Sequence, residues 1–334
     1  DPVWLRSALD QLSGATFAND DVAITRVGNW FSGELADRFD AFPSFNCGRS
    51  LMAPQRGRDQ KNQFWVAGHG AEENIQSGEV SGLNTDTGNF ALGYEWSAGE
   101  TGKLGVGAGY SHFSSRAQTR EMGNTTGNLY QVGLYGRTQV GQWLFGLAFD
   151  AGVTDDVDTE RRIEGALSVA TTKGNYRGHL YSEQARVGYD LTPTSPTRLS
   201  PFVGVIGQQY TRNAFAENTQ TGFELNVDGS TYQSTRSQVG AMVEVPTNSA
   251  FKPFVSADWE HEFSDVNGTF NANLVGVGGK FHIEGQALGR DSALVKAGTV
   301  VACGRNWNVS VLYQGWYGSG WQENGGTLQA SVAL

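Results

Sequence analysis

From Gln63 to the C-terminus, apolar and polar positions alternate with a period of two. Phe90, Leu92, Tyr94 and Trp96 interleave with Asn89, Ala91, Gly93 and Glu95. Trp143, Phe145, Leu147 and Phe149 interleave with Leu144, Gly146, Ala148 and Asp150, and Val239, Ala241, Val243 and Val245 with Gln238, Gly240, Met242 and Glu244. Successive strand residues point to opposite faces, so each segment predicts a strand between two different media. Twelve such strands are predicted near 63–71, 87–97, 104–113, 128–138, 143–152, 178–191, 199–212, 230–245, 251–263, 291–302, 307–317 and 326–334. Their connectors alternate in length. Short turns fall at 99–103, 139–142, 192–198, 246–250 and 303–306, and long loops at 114–127, 153–177, 213–229 and 264–290. Short turns on one rim and long loops on the other predict an all-β, 12-stranded antiparallel transmembrane β-barrel, with the short-turn rim periplasmic. Trp96, Leu92, Phe145, Leu147, Val243 and Trp259 are expected to face lipid.

Ahead of Gln63 the period changes. Val22, Val27, Trp30, Phe31, Leu35 and Phe39 recur at three- to five-residue steps, which predicts a helix over 21–42. Asp20 or Asp21 can cap its start, and Pro43 helps stop it. Residues 44–61 are polar and rich in Gly, Arg and Gln, a linker composition. The expected organisation is a junction segment at 1–20, a pore helix and periplasmic linker at 21–61, and the barrel at 62–334.

Small residues on the inner face make room for that helix. Gly93, Gly105, Gly107, Gly109, Gly146 and Gly240 leave space in the lumen. Barrels of eight strands are filled by side chains, whereas sixteen or more hold an aqueous channel, and twelve lie between. A helix about 10–12 Å across fits such a pore, so an N-terminal α-helix in the pore is expected. Trp30, Phe31 and Leu35 are expected to pack on the glycine-rich wall. Inward parity also collects charges of both signs: Glu95, Arg137, Asp150, Arg186, Arg236, Asp258, Glu260 and Lys296. They are the candidate pore-lining residues, and Glu34, Asp37, Arg38 and Asp40 on the helix are their candidate partners.

Composition narrows the classes. No apolar run in the 334 residues is long enough for a transmembrane helix. The mean hydropathy of −0.37 does not count against a barrel, because only every second strand residue meets lipid. Nine Trp suit interfacial girdles, and a net charge of −10 argues against a nucleic-acid partner. Asp1-Pro2-Val3-Trp4 is not a signal peptide, so the chain is expected to be the end of a longer precursor. The two cysteines, Cys47 and Cys303, both fall on the short-turn rim, where an oxidising compartment allows a disulfide.

No catalytic constellation emerges, and no metal or other cofactor is expected. Asp155, Asp156, Asp158 and Glu160 read as an exposed charge run rather than a calcium site. The five histidines lack metal spacing, and no Gly-x-Ser-x-Gly elbow occurs.

Several segments, in this order, carry a family resemblance. They are Leu9-Asp10-Gln11-Leu12-Ser13-Gly14, Phe64-Trp65-Val66-Ala67-Gly68, Trp259-Glu260-His261-Glu262-Phe263, and Gly285-Gln286-Ala287-Leu288-Gly289-Arg290-Asp291-Ser292-Ala293. With the helix and linker, the arrangement resembles the C-terminal translocator β-domain of autotransporters, type V secretion. The resemblance implies a monomeric, non-enzymatic domain in the outer-membrane lipid of a Gram-negative bacterium, enabling export of its own N-terminal passenger. It further implies periplasmic chaperones and the barrel assembly machinery as partners, the latter reading Leu328, Ala330, Val332 and Leu334 of the last strand. Leu334 departs from the family's usual terminal Phe or Trp. Relatives that cleave themselves carry an Asn-Asn pair in the helix, which this chain lacks, so Asn19 and Asp20 read as capping residues. A diffusion porin and an outer-membrane hydrolase are the alternatives.

Overall fold

The computed structural model describes residues 11–39, 62–78, 80–118, 123–164, 169–195, 197–245 and 251–334. Among the described residues, the helix α1 (Thr16–Ala36) precedes sixteen strands. Twelve of them close the barrel: β1 (Gln63–Ile75), β2 (Leu83–Ala98), β3 (Gly102–Ala117), β4 (Asn124–Val140), β5 (Trp143–Glu164), β6 (Val169–Tyr189), β7 (Arg198–Arg212), β10 (Ser230–Glu244), β11 (Lys252–Glu262), β14 (Asp291–Cys303), β15 (Trp307–Gly318) and β16 (Trp321–Ala333). Every pairing is antiparallel, and β1 meets β16 in register from Gln63–Ala333 to Ile75–Trp321. Closure removes both sheet edges, which lipid would otherwise leave without hydrogen-bond partners.

The outer face is apolar between two aromatic belts. Near the short-turn rim, Tyr94 stacks on Trp96 with ring centroids 6.3 Å apart, and Trp143 meets Tyr189 at 4.8 Å. Toward the other rim, Tyr110 and Tyr130 lie 5.4 Å apart, and Tyr313 and Tyr317 share a hydrogen bond. Leu92, Phe145, Leu147, Val243 and Trp259 are exposed on this face, and Trp96 is half-buried there. Such belts mark the two lipid–water interfaces of a membrane barrel.

Each of the twelve predicted strands is present, but several extend further toward the long-loop rim. β5 continues to Glu164 and β6 begins at Val169, so most of the expected loop at 153–177 is a projecting hairpin. Two physical facts hid it. Beyond the belts the outward residues meet water, and the apolar alternation stops. A bulge also inserts one extra residue between Thr154 and Val157, with Asp156 at φ 50°. Both Thr154 and Val157 therefore point inward, and the alternation changes phase. The last strand starts at Trp321 rather than 326, after a tight turn with Gly320 at φ 83°. Within the expected loops at 213–229 and 264–290, β8 (Phe215–Ala216), β9 (Leu225–Val227), β12 (Thr269–Leu274) and β13 (Phe281–Glu284) form a second sheet in the order β13-β12-β9-β8.

The helix also differs from expectation. It starts at Thr16, not 21, and Ala15 at its start makes no side-chain cap bond. Asn19, Asp20 and Asp21 lie inside it. The capping expectation assumed a solvated helix end, whereas these side chains are bound by the barrel wall. Thr125 donates to Asp20 at 2.7 Å, Ser230 donates to Asp21, and Asn19 donates to the Ser81 carbonyl at 2.9 Å. Asp37–Phe39 form a turn after the helix. Residues 40–61, with Asp40, Pro43, Cys47 and the linker, lie outside the described residues.

Candidate functional site in the barrel lumen

The barrel closes around α1. One side of the helix presses on a wall of small residues. A Cβ at Gly109 would lie 2.5 Å from Phe31, and one at Gly133 would lie 2.5 Å from Leu35, so only glycine admits these contacts. Gly107 faces Leu35, and Gly146 faces Phe39. Trp30 does not join them; it stacks on His69 of β1 with centroids 5.4 Å apart and planes 18° from parallel. At Gly28 the helix packs against Leu180 of β6, which an added Cβ would meet at 2.1 Å.

Polar contacts fix the helix at several heights. Toward the short-turn rim, Lys296 donates to both Asp37 oxygens, at 2.7 and 2.8 Å. Glu34 accepts from Arg38 at 2.7 Å and from Gln329 at 2.6 Å, while the Arg38 guanidinium stands 4.3 Å from the Trp65 ring centroid. Midway, Ser32 donates to Asp150 at 2.7 Å. Gln131 donates both to Asp150 at 2.9 Å and to the Gly28 carbonyl at 3.2 Å. Arg236 donates to Asn29 at 2.9 Å. Nearer the other rim, Arg26 pairs with Glu73, and its guanidinium lies 3.4 Å from the Trp321 ring centroid. Arg212 approaches Asp21 at 3.6 Å.

The pore-lining candidates all lie on the inner side, in two kinds of environment. Asp150, Arg236 and Lys296 touch the helix directly. The rest form wall networks. Lys103 and Arg137 each stand 3.7 Å from Glu95, which also accepts from Tyr135 at 3.3 Å. Arg236 pairs with Glu260 at 3.2 Å, and Gln238 donates to Asp258 at 2.7 Å. Arg186 donates to Gln238 at 3.1 Å and lies over the Phe202 ring at 4.4 Å. Mixed signs let these charges neutralise one another in a lumen filled by α1 and the side chains around it. Cys303 ends β14 at the short-turn rim, and no described cysteine is free. Leu328, Ala330, Val332 and Leu334 lie on the outer side of the closing strand, with Leu328, Val332 and Leu334 exposed.

Sequence reasoning missed Arg26, Glu73, Arg161, Arg212 and Glu217. Glu73 keeps the inward parity of β1 but lies past the predicted strand end. Arg161 was hidden by the bulge. The acidic run beside it is a surface feature: Arg177 pairs with Asp155 at 2.7 Å and lies 3.8 Å from Asp156. Among the described residues, no group of three or more metal-ligating side chains could hold an ion.

A helix threaded through a closed twelve-stranded barrel is the arrangement that comparison with known proteins then resolves. The family model described as the autotransporter beta-domain matches residues 64–314. The chain belongs to that family. The translocator domain of the autotransporter NalP from Neisseria meningitidis superposes with a TM-score of 0.75, covering 95% of this chain and 98% of that one at 13% identity. The transport unit of AIDA-I from Escherichia coli gives 0.53, covering 87% and 96% at 16% identity. At such identities the likeness shows the fold. Esterase EstA of Pseudomonas aeruginosa is 25% identical over 218 residues, 64% of this chain and 33% of EstA. An extracellular serine protease of Serratia marcescens is 26% identical over 254 residues, 73% of this chain and 23% of the protease. The chain thus spans a third or less of the length of these relatives. Their names describe whole proteins; the autotransporter beta-domain is the outer-membrane translocator and not the enzyme. This chain is accordingly an autotransporter beta-domain, the translocator barrel of a Gram-negative outer membrane.

Proposed function

We propose that α1 is the plug of the translocation pore, held by the helix and wall residues above, and that the passenger leaves through the long-loop rim. The observation that carries this reading is the ladder of contacts from Asp37–Lys296, through Ser32–Asp150, to Arg26–Glu73. It spans the lumen and leaves α1 buried over most of its length. The short-turn rim is then periplasmic, and residues 11–15 ahead of α1 stand on the long-loop side. Residues 62–334 act as a monomeric barrel. Periplasmic chaperones deliver it, and the barrel assembly machinery reads the outer face of β16, where period-two alternation reaches the C-terminus.

Planar-bilayer recordings test the plug. Removal of residues 1–45 is expected to raise single-channel conductance several-fold over the intact chain. Equal conductance with and without those residues would exclude plugging. A porin would conduct freely with the helix present.

A further inference from the structure

Arg161 lies where the chain meets the long-loop rim, and every one of its nitrogens is engaged. Nε and Nη2 donate to the two carboxylate oxygens of Glu217, at 3.1 and 2.6 Å. Nη2 also donates to the Phe223 carbonyl at 2.8 Å. Nη1 donates to two successive carbonyls of the emerging chain, Gln11 at 2.8 Å and Leu12 at 3.2 Å. Glu217 is itself fixed by the Thr172 hydroxyl at 2.7 Å and the Leu225 amide at 2.8 Å. Both side chains of the ion pair are 1% exposed. The guanidinium therefore joins the β5–β6 hairpin, the loop between β8 and β9, and residues 11–12 in one buried knot.

The two carbonyls are informative. Residues 11–13 are helical, and Gly14 at φ 69° ends that turn before α1 begins. The last carbonyls of a helical turn have no partner within it and point the same way along its axis, so a single cation can take two of them. In an extended chain, successive carbonyls point to opposite sides. An extended polypeptide moving through the mouth cannot offer Nη1 the same pair. The neighbouring packing agrees with a seat for this turn: Leu225 lies 3.0 Å from where a Gly14 Cβ would stand, and Phe17 and Ala18 pack on Leu225, Val227, Phe270 and Ala272 of the second sheet.

We propose that Arg161, oriented by Glu217, is an end-of-export latch. It recognises the backbone of the helical turn at residues 11–13 and engages only when that turn arrives at the mouth, which fixes the final register of α1 in the pore. Recognition is of main-chain oxygens, so it is indifferent to the passenger. The proposal rests on the translocator reading and assigns Arg161 as a positioning residue within it.

The test uses the full chain with a reporter fused upstream of Asp1, displayed on cells. Leu12→Cys is labelled from outside with a membrane-impermeant maleimide. Labelling is counted only in molecules that show the heat-modifiable gel migration of a folded barrel, and the reporter's surface exposure is scored separately. Labelling is expected to be slow with the latch intact and at least tenfold faster in both Arg161→Ala and Gly14→Val. The second variant leaves Arg161 and Glu217 in place but puts a β-branched residue where φ is 69°, so it disturbs the turn and not the latch. Acceleration in Arg161→Ala alone would show a brace for the hairpin and overturn the proposal, as would unchanged rates in Arg161→Ala. A reporter that never reaches the surface with the latch intact would overturn the translocator reading and the latch with it.

Discussion

Asp37 and Lys296 are bonded through both carboxylate oxygens, at 2.7 and 2.8 Å, between the end of the helix and the middle of β14. Neither side chain is more than 12% exposed. Removing one partner of a buried pair strands the other charge, at about 3–5 kcal/mol in a dry site. Lys296→Ala is therefore expected to loosen the plug and increase the open probability in bilayer recordings. Exchange of the charges, Asp37→Lys with Lys296→Asp, is expected to recover much of the closed behaviour. Unchanged gating in Lys296→Ala would rule out this pair as a holding contact.

The glycine wall makes an opposite kind of prediction, through excess volume. Gly109→Val places its side chain where the Phe31 ring stands. Overpacking of this kind costs about 1–3 kcal/mol, and the helix gives way before the hydrogen-bonded wall does. More frequent full-conductance openings are expected, with normal heat-modifiable migration. Loss of barrel folding without any change in gating would show that the strain falls on the wall instead.

On the lipid side, Leu147 is 53% exposed in the middle of the apolar band. Leu147→Arg is expected to destabilise the folded barrel by about 2–4 kcal/mol. Urea titration of folding into lipid vesicles measures this. A shift below about 1 kcal/mol would place Leu147 outside the hydrocarbon.

The proposed Cys47–Cys303 bridge is checked chemically. The chain has two cysteines, and no described cysteine is free. Cys47 lies outside the described residues, so the pairing is an expected outcome. A bridge closing so long a loop is worth on the order of 5 kcal/mol in the chain-entropy account. Here its use would be to tether the linker below the helix to the short-turn rim. A non-reduced tryptic digest of protein folded in the periplasm is expected to contain the linked peptide pair. Two alkylatable thiols would refute it.

The barrel was legible because lipid is an unforgiving solvent. Leu92, Phe145 and Val243 must be apolar while Gly93, Gly146 and Glu244 need not be, and twelve repeats of that contrast give strand number and order. The helix showed in the spacing of Val27, Trp30, Phe31 and Leu35. Its bounds did not, because Asp20 and Asp21 look like caps in a sequence, and only the wall shows that Thr125, Ser230 and Arg212 take them up. The same holds for Arg26, which sits against Trp321 and Glu73, partners distant in sequence that only closure brings near. Strands as short as Phe215–Ala216 carry no usable period at all.

One inserted residue at the β5 bulge decides which arginine enters the protein. Above Asp156 the inward set is Val157, Thr159, Arg161 and Ile163. Were β5 to run on from Thr154 in unbroken alternation, every later position on that arm would trade sides, so that Asp158, Glu160 and Arg162 would turn inward and Arg161 would point to solvent. The hairpin is in this sense read in frame. Its one-residue offset sets the whole interior lining of the mouth, a change of phase that no single side chain further along the arm could make.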